Sequence, residues 1–247
     1  MSLLSNLESN DTIEGDKDSV GGGSFLVDSG LHRMNIELAY IDQSARGALS
    51  LNLHLTGVDS GSNVRQTIWI SSGDAKGNKN TYIDAKGKKQ YLPGYKLAES
   101  LTEAVLKTKM NALETVEKVV NRWDFEAKAE IPQKTAVISD LLGKEILAGI
   151  IKQTVDKVTD NGAGKWVPSG EVKDENVIDK FFNADGLTAT EVKAGADEGS
   201  FTDKWESKFG GTYPDKSTTG RNAAAASTVG TPTAATPAAT SSLFANA

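Results

Sequence analysis

The fold is decided by the stretch RMNIELAYIDQSARGALSLNLHLTGVDSGSNVRQTIWIS, residues 33–71. Apolar and polar side chains alternate within three segments of it, and turns rich in Gly, Ser and Asp separate these segments. The residues expected to share one face of each segment are Met34, Ile36, Leu38 and Tyr40, then Leu49, Leu51, Leu53 and Leu55, then Val64, Gln66, Ile68 and Ile70. Because successive side chains of a strand point to opposite faces, this alternation predicts three half-buried strands in an antiparallel meander.

Downstream of the meander, the sequence predicts a helix and then further strands. Residues 75–96 are expected to form a long loop or a distorted hairpin. Helical spacing of apolar residues follows at Leu97, Leu101, Ala104 and Val105. This spacing predicts one helix, or two with a break near Lys109. Residues 121–158 return to strand patterns, interrupted by a single turn at residues 139–143. Together these elements predict a mainly β protein with helical insertions, built as a small closed barrel.

Composition divides the chain into four parts. Residues 1–20 form an acidic leader with a local charge of −4, residues 21–160 the barrel, residues 161–210 an acidic region, and residues 211–247 an Ala/Thr/Pro-rich tail. The leader and the tail are too poor in large apolar groups to offset the entropy of folding, so we expect both to be disordered. The acidic region is expected to pack on the barrel through its aromatic residues, which are Trp166, Phe181, Phe182, Phe201, Trp205 and Phe209.

Several classes of function are disfavoured by the residues that the sequence lacks. The chain has no cysteine and only two histidines, His32 and His54, which argues against a thiolate nucleophile, a disulfide framework and a metal site. No catalytic motif stands out, and we predict a non-enzymatic protein without a cofactor. No long apolar run and no signal peptide are evident, so we expect a soluble protein that stays in a cytoplasm.

One segment runs against the overall charge of the chain. The chain carries a formal charge of −6, yet residues 65–96 hold seven basic residues against Asp74 and Asp84, a local charge of +5. Lysines in such a run can follow phosphates, and tyrosine rings can stack on unpaired bases. The alternative is an ordinary solvated loop kept soluble by lysine. The predicted DNA-binding residues are Arg65, Trp69, Lys76, Lys79, Tyr82, Lys86, Lys88, Lys89, Tyr91, Tyr95, Lys96, Arg122 and Trp123.

Two weaker candidates lie outside that segment. Arg122 and Trp123 combine a cation with a ring at strand spacing, where Trp123 and Phe125 point the same way; we expect at least one of these two rings to lie in the core. The tail ends in an apolar pair, Leu243 and Phe244, after a low-complexity tether. Such a pair is a candidate partner-binding peptide, the alternative being a terminus without function.

Three blocks of sequence resemble the single-stranded DNA-binding proteins of a group of tailed bacteriophages. They are LPGYKLAESL (residues 92–101), ETVEKVVNRWDFEAKAEIPQKTAVISDLLGKEILAGIIKQTVDK (residues 114–157) and GEVKDENVIDKFFN (residues 170–183). The similarity spans roughly residues 21–205, and its middle block is the most specific. The resemblance implies a five-stranded OB-fold barrel that coats unpaired DNA during phage replication and recombination in an infected bacterial host. It does not identify the side chains that touch DNA.

The end of the chain departs from the pattern of that family. Such proteins often end in an acidic peptide tipped by phenylalanine, which recruits partners and competes for the DNA groove, whereas the last residues here are neutral. Leu243 and Phe244 therefore remain candidates for recruiting replication or recombination proteins. If an acidic segment of this chain competes with DNA for the groove, the candidates are the acidic leader and the region from Glu171 to Glu206, which has a net charge of −6.

Two other functions stay open at this point. The first is a structural or scaffold protein whose tail displays a docking peptide. The second is an annealing recombinase, which shares the DNA ligand but is expected to form large rings or filaments. Salt-sensitive quenching of tryptophan fluorescence by oligo-dT distinguishes a DNA-binding protein from a scaffold protein. Electron microscopy identifies a recombinase by its rings or filaments.

Overall fold

The computed structural model describes residues 26–124, 127–162 and 166–218. The acidic leader, Phe125 and the pair Leu243 and Phe244 lie outside these residues, so the predictions made for them stay predictions. The three strands of the meander are present as β1 (Gly30–Gln43), β2 (Leu49–Gly57) and β3 (Asn63–Trp69), all antiparallel. The prediction from the alternating sequence pattern is therefore confirmed for this part of the chain.

The remaining elements follow in the predicted order of helix and then strands. The short strands β4 (Thr81–Ile83) and β5 (Lys89–Tyr91) pair with each other and confirm a hairpin in the lysine–tyrosine run. The other elements are α1 (Pro93–Leu106), β6 (Val116–Asp124), β7 (Ala129–Val137), β8 (Glu145–Asp160), β9 (Trp166–Asn183), α2 (Ala189–Ala194) and α3 (Phe201–Phe209). Of the two alternatives predicted for the helical segment, a single α-helix is found: α1 ends at Leu106, where Lys107 takes a left-handed conformation, and only a short 3-10 turn at Met110–Ala112 follows.

The large sheet is organised around β1. One edge of β1 pairs with β2 along most of its length, while the other edge pairs first with β8 and, near Tyr40, with β7. β6 pairs with β7 and β9 pairs with β8, all antiparallel. In the described residues no ladder joins β3 to β9, although the Ile178 amide donates to Gln66 Oε1 at 3.1 Å. A mainly β, antiparallel fold is thus confirmed, and a closed barrel is not found.

The core lies between the sheet and α1. The inward residues of β2, Leu51, Leu53 and Leu55, are buried, as is the face of α1 that carries Ala98 and Leu101. Burying each large aliphatic side chain contributes about 1.5–3 kcal/mol. A glycine allows the helix to approach the sheet: a Cβ on Gly94 would lie 2.1 Å from the carbonyl oxygen of Trp69. The start of α1 therefore rests directly on the end of β3.

A β-bulge in β1 overturns one prediction about that strand. Met34 and Ile36 point into the core as expected, but the register with β2 shifts between Ile36 and Leu38. After this shift Ala39 occupies the inward position and Tyr40 lies on the opposite face. The expectation that Leu38 and Tyr40 share the core face was wrong, because one extra residue in a strand exchanges its two faces.

The acidic region packs on the sheet through some, but not all, of its aromatic residues. Phe181, Phe182 and Trp205 are buried, and Trp205 Nε1 donates to Asp179 at 2.8 Å. Trp166, by contrast, is 70% exposed, because β8 and β9 continue past the start of β1 as a two-stranded arm. The prediction that Trp166 docks on the barrel was therefore wrong. No helix in the described ranges is long and apolar enough to cross a membrane.

Candidate nucleic-acid interface

One face of β2 and β3 points away from the core and carries polar and aromatic residues. We call this the outer face. On β3 it presents Arg65, Thr67 and Trp69, which lie opposite His54, Asn52 and Ser50 of β2, respectively. Thr67 Oγ1 donates to Asn52 Oδ1 at 2.7 Å, which joins the two strands on this face. Trp69 is 51% exposed at the end of β3, so its indole is available to a ligand.

The β6–β7 hairpin crosses the outer face. Its arginine Arg122 forms an ion pair with Asp42 of β1 and lies 4.9 Å above the ring of Tyr40. A second ion pair joins Glu130 of β7 to Arg65 of β3, whose guanidinium donates to the Glu130 carboxylate at 3.3 Å. The hairpin therefore continues the sheet where β7 pairs with β1, near Tyr40, and these two ion pairs bring the rest of it against the outer face.

A groove runs between the hairpin and the sheet. It has a volume of about 270 Å³, and we call it the outer-face groove. Its sheet side includes Tyr40, Asn52 and Thr67, and its hairpin side includes Arg122 and Trp123. Trp123 is 52% exposed, which places this indole at the surface and not in the core. Three of the predicted DNA-binding residues, Arg65, Arg122 and Trp123, are therefore brought together from positions far apart in the sequence.

His54 lies in the floor of this groove. Its ring meets the Tyr40 ring edge-on at a centroid distance of 5.9 Å, and its cross-strand neighbour is Arg65. Burial lowers the pKa of His54, and the charge of Arg65 lowers it further, while Glu130 acts in the opposite direction. We therefore expect His54 to be neutral at neutral pH.

The lysine-rich run forms the β4–β5 hairpin, whose turn is organised by Asp84. The Asp84 Oδ1 atom accepts from the backbone amides of Lys88 and Lys86 at 2.8 and 3.0 Å, and Gln90 donates to Oδ2 at 3.3 Å. The pKa of Asp84 is lowered, first by the bond from the Lys88 amide. The single acid of this hairpin therefore holds the backbone of the turn, and the lysine side chains project from that turn.

The tyrosines of this segment differ in how far their side chains are exposed. Tyr82 and Tyr91 are exposed, at 43% and 48%. Tyr95 is only 7% exposed, and its ring stacks on Tyr91 with centroids 5.1 Å apart. Burial raises the pKa of Tyr95. Because Tyr95 is buried, its ring is not accessible to a base, contrary to the expectation that it stacks on DNA. It packs against the exposed Tyr91 instead.

The free positive charge of the interface lies on the lysines. Lys76, Lys79, Lys86, Lys88, Lys89 and Lys96 are all exposed, and within the described ranges none of them forms an ion pair. Arg65 and Arg122 are both paired with carboxylates. The hairpin packs beside the end of β3, where Lys79 and Lys89 share a pocket with Ile70 and Tyr95. Trp69 directly precedes Ile70 and is the last residue of β3, so this strand ends next to the pocket.

The structure also adds residues that the sequence did not single out. Asp42 and Glu130 matter because they neutralise the two arginines, and only their tertiary pairing shows this. Trp166 is a further exposed indole, on the β8–β9 arm. The described residues contain no group of three or more His, Cys, Asp or Glu side chains able to hold a metal ion.

No protein-family model matches this chain, and a search of curated proteins finds no match either.

Proposed function

We propose that this chain is a non-enzymatic single-stranded DNA-binding protein of the OB-fold type, as its resemblance to the phage proteins implies. It would coat unpaired DNA during phage replication and recombination in the cytoplasm of an infected bacterial host. One observation carries the proposal: six exposed lysines without an ion pair among the described residues lie in the same segment, residues 65–96, as the exposed rings of Trp69, Tyr82 and Tyr91, in a chain whose net charge is −6.

The order of the strands supports the OB-fold part of the proposal. An OB-fold is a five-stranded, partly open Greek-key barrel that binds oligonucleotides on the face of its second and third strands. Here β1, β2, β3, β8 and β9 supply five strands, and β1 pairs with both β2 and β8. The face of β2 and β3 that such a fold uses is the outer face, with Arg65 and Trp69 on it. The gap between β3 and β9 fits a partly open barrel.

Binding would combine two kinds of contact. The lysines would neutralise phosphates and release the cations condensed on the DNA, so affinity should fall steeply as salt rises. The exposed rings would stack on bases at about 1–3 kcal/mol per base, a contact that every base permits. We therefore expect binding that is largely indifferent to sequence.

A titration of intrinsic tryptophan fluorescence with oligo-dT at low and moderate salt tests the proposal. Three of the four tryptophans are at least half exposed, namely Trp69, Trp123 and Trp166, so stacking on the proposed face should quench the signal. Quenching that weakens with salt supports DNA binding. A flat titration at low salt contradicts it and favours the scaffold alternative.

A further inference from the structure

The two arginines of the outer-face groove are already bound by carboxylates of the same chain. Arg65 donates from Nη1 and Nη2 to Glu130 Oε1 at 3.4 and 3.3 Å, while Arg122 donates to Asp42 Oδ2. A carboxylate and a phosphate present similar oxygen acceptors to a guanidinium. In the free protein, therefore, the groove holds its own substitutes for the phosphates that it is proposed to bind.

The two ion pairs differ in how easily an external anion can replace the carboxylate. The Arg122 side chain is only 20% exposed and also stacks on Tyr40, so this pair is fixed from two sides. Arg65 and Glu130 are 62% and 46% exposed, and both Arg65 nitrogens share a single carboxylate oxygen at long distances. Exposed ion pairs of this kind contribute little to stability. The Arg65–Glu130 pair is the one that can open.

Opening this pair would change the surroundings of Trp123, the tryptophan of the groove. Glu130 lies directly opposite Trp123 in the β6–β7 ladder. Side chains of directly opposite residues lie on the same face of a strand pair and are close neighbours. A phosphate that takes the place of Glu130 on Arg65 would therefore bring its nucleotide next to the half-exposed indole of Trp123.

We propose that the Arg65–Glu130 ion pair is a latch, which single-stranded DNA opens by exchanging a phosphate for the Glu130 carboxylate on Arg65. The exchange releases β7 from β3 and places a base beside the half-exposed Trp123 in the outer-face groove. The latch rests on the proposed DNA-binding function. It assigns to Glu130 a role that opposes DNA binding. Affinity is then limited by Glu130 and is not maximal in the natural sequence.

The test compares two substitutions that remove the same charge from the same hairpin. Glu130→Gln removes the latch. Glu117→Gln is the control, because Glu117 is exposed, forms an ion pair with Lys134 and lies six strand positions from Trp123, about 20 Å away. We expect Glu130→Gln to tighten oligo-dT binding about threefold to fivefold, and Glu117→Gln to change it less than twofold. In an Arg65→Gln background, the additional gain from Glu130→Gln should disappear.

A second measurement uses the unmodified protein and does not depend on a variant folding well. The chain has only two histidines, so their ring proton signals can be followed separately by NMR. His54 is the cross-strand partner of Arg65, whereas His32 bonds to the carbonyl oxygen of Asp28 at the start of the described chain. Adding oligo-dT should move the His54 signal and leave that of His32 in place.

The possible results separate the latch from the proposed function. If oligo-dT fails to bind at low salt, both are overturned. If it binds but Glu130→Gln behaves like Glu117→Gln, or if the His54 signal does not move, the latch is overturned and DNA binding stands. A selective gain in affinity that depends on Arg65 supports the latch.

Discussion

At the scale of single residues, Trp69 is the ring on which the proposed interface depends most. Its indole is 51% exposed and its backbone is held by the start of α1, so removing the side chain should leave the fold intact. We expect Trp69→Ala to weaken oligo-dT binding by about 1–3 kcal/mol, the contribution of one stacked base, with no large change in the melting temperature. Fluorescence anisotropy of labelled oligo-dT measures the loss directly.

A matched control exists on the β8–β9 arm. Trp166 is 70% exposed but lies outside the proposed interface, so Trp166→Ala should leave affinity nearly unchanged. An equal loss in both variants would mean that Trp69 has no special place in binding.

The charge of Glu191 contributes to stability through several hydrogen bonds. Its carboxylate accepts from the Thr188 amide and hydroxyl, at 2.9 and 3.0 Å, and from the Ser200 amide and hydroxyl, at 2.7 and 2.9 Å. Burial raises the pKa of Glu191, but these hydrogen bonds outweigh burial and lower it to about 2. The carboxylate thereby caps α2 and ties it to the start of α3.

Because the folded-state pKa is depressed, the stability due to Glu191 is present above the unfolded pKa of 4.5 and is lost as pH falls towards 2. We expect Glu191→Gln to lower the free energy of unfolding by about 1–3 kcal/mol at pH 7, and by less as the pH falls below 4.5. Urea unfolding at several pH values measures this, with the exposed Glu198→Gln as control. A loss that is the same at pH 7 and pH 3 would contradict the role assigned to the charge.

Exposure could be predicted from the sequence at some residues and not at others, for a physical reason. Trp69 and Arg65 follow from strand parity, which is a local property of β3. The burial of Tyr95 depends on how α1 lies against the β4–β5 hairpin, and the neutralisation of Arg122 depends on Asp42, which is 80 residues away. Such contacts are set by tertiary packing and leave no signal in local spacing.

At the scale of elements, the β4–β5 hairpin carries the charge that the proposal needs. Replacing Lys86, Lys88 and Lys89 together by glutamine should leave the turn intact, because Asp84 binds backbone amides there and not lysine side chains. Each phosphate contact on a single strand contributes about 0.7 to the slope of log K against log salt. We therefore expect the slope to become shallower by up to about 2.

The control for this element is a triple substitution with the same change in charge. Lys107, Lys204 and Lys208 are exposed and lie outside the hairpin, so glutamine at these positions should change the slope far less. Fluorescence titrations at five or more salt concentrations give both slopes. Equal slopes in the two triple variants would remove the β4–β5 hairpin from the DNA path.

Elements were predicted better than the relations between them. The β1–β3 meander, the helix α1 and the turn after β7 follow from periodicity and turn residues. The bulge in β1 does not, because one extra residue leaves the composition of the strand unchanged while exchanging its faces. The position of the β6–β7 hairpin against the outer face was also not predicted, since it depends on the pairing of β7 with β1 and on contacts between residues 65 and 80 positions apart.

At the scale of the whole molecule, the distribution of charge should separate the kinetics of binding from its affinity. The chain carries −6 overall, whereas residues 65–96, which include the lysine hairpin, carry +5. A DNA strand far from the protein is repelled by its negative net charge. A strand close to the interface is attracted by the lysines. The distance over which charges act is about 30 Å at 0.01 M salt and about 10 Å at 0.1 M.

We therefore expect the association rate constant for oligo-dT to stop rising, or to fall, as salt is lowered below about 0.02 M, because the long-range repulsion is then no longer screened. The dissociation rate constant should instead keep falling, since the short-range lysine–phosphate contacts strengthen throughout. Stopped-flow tryptophan fluorescence from 5 to 300 mM salt, with the protein in excess, gives both rate constants. An association rate constant that climbs steadily to the lowest salt would show that DNA is steered by a positive field, and that the acidic parts of the chain do not act on the approaching strand.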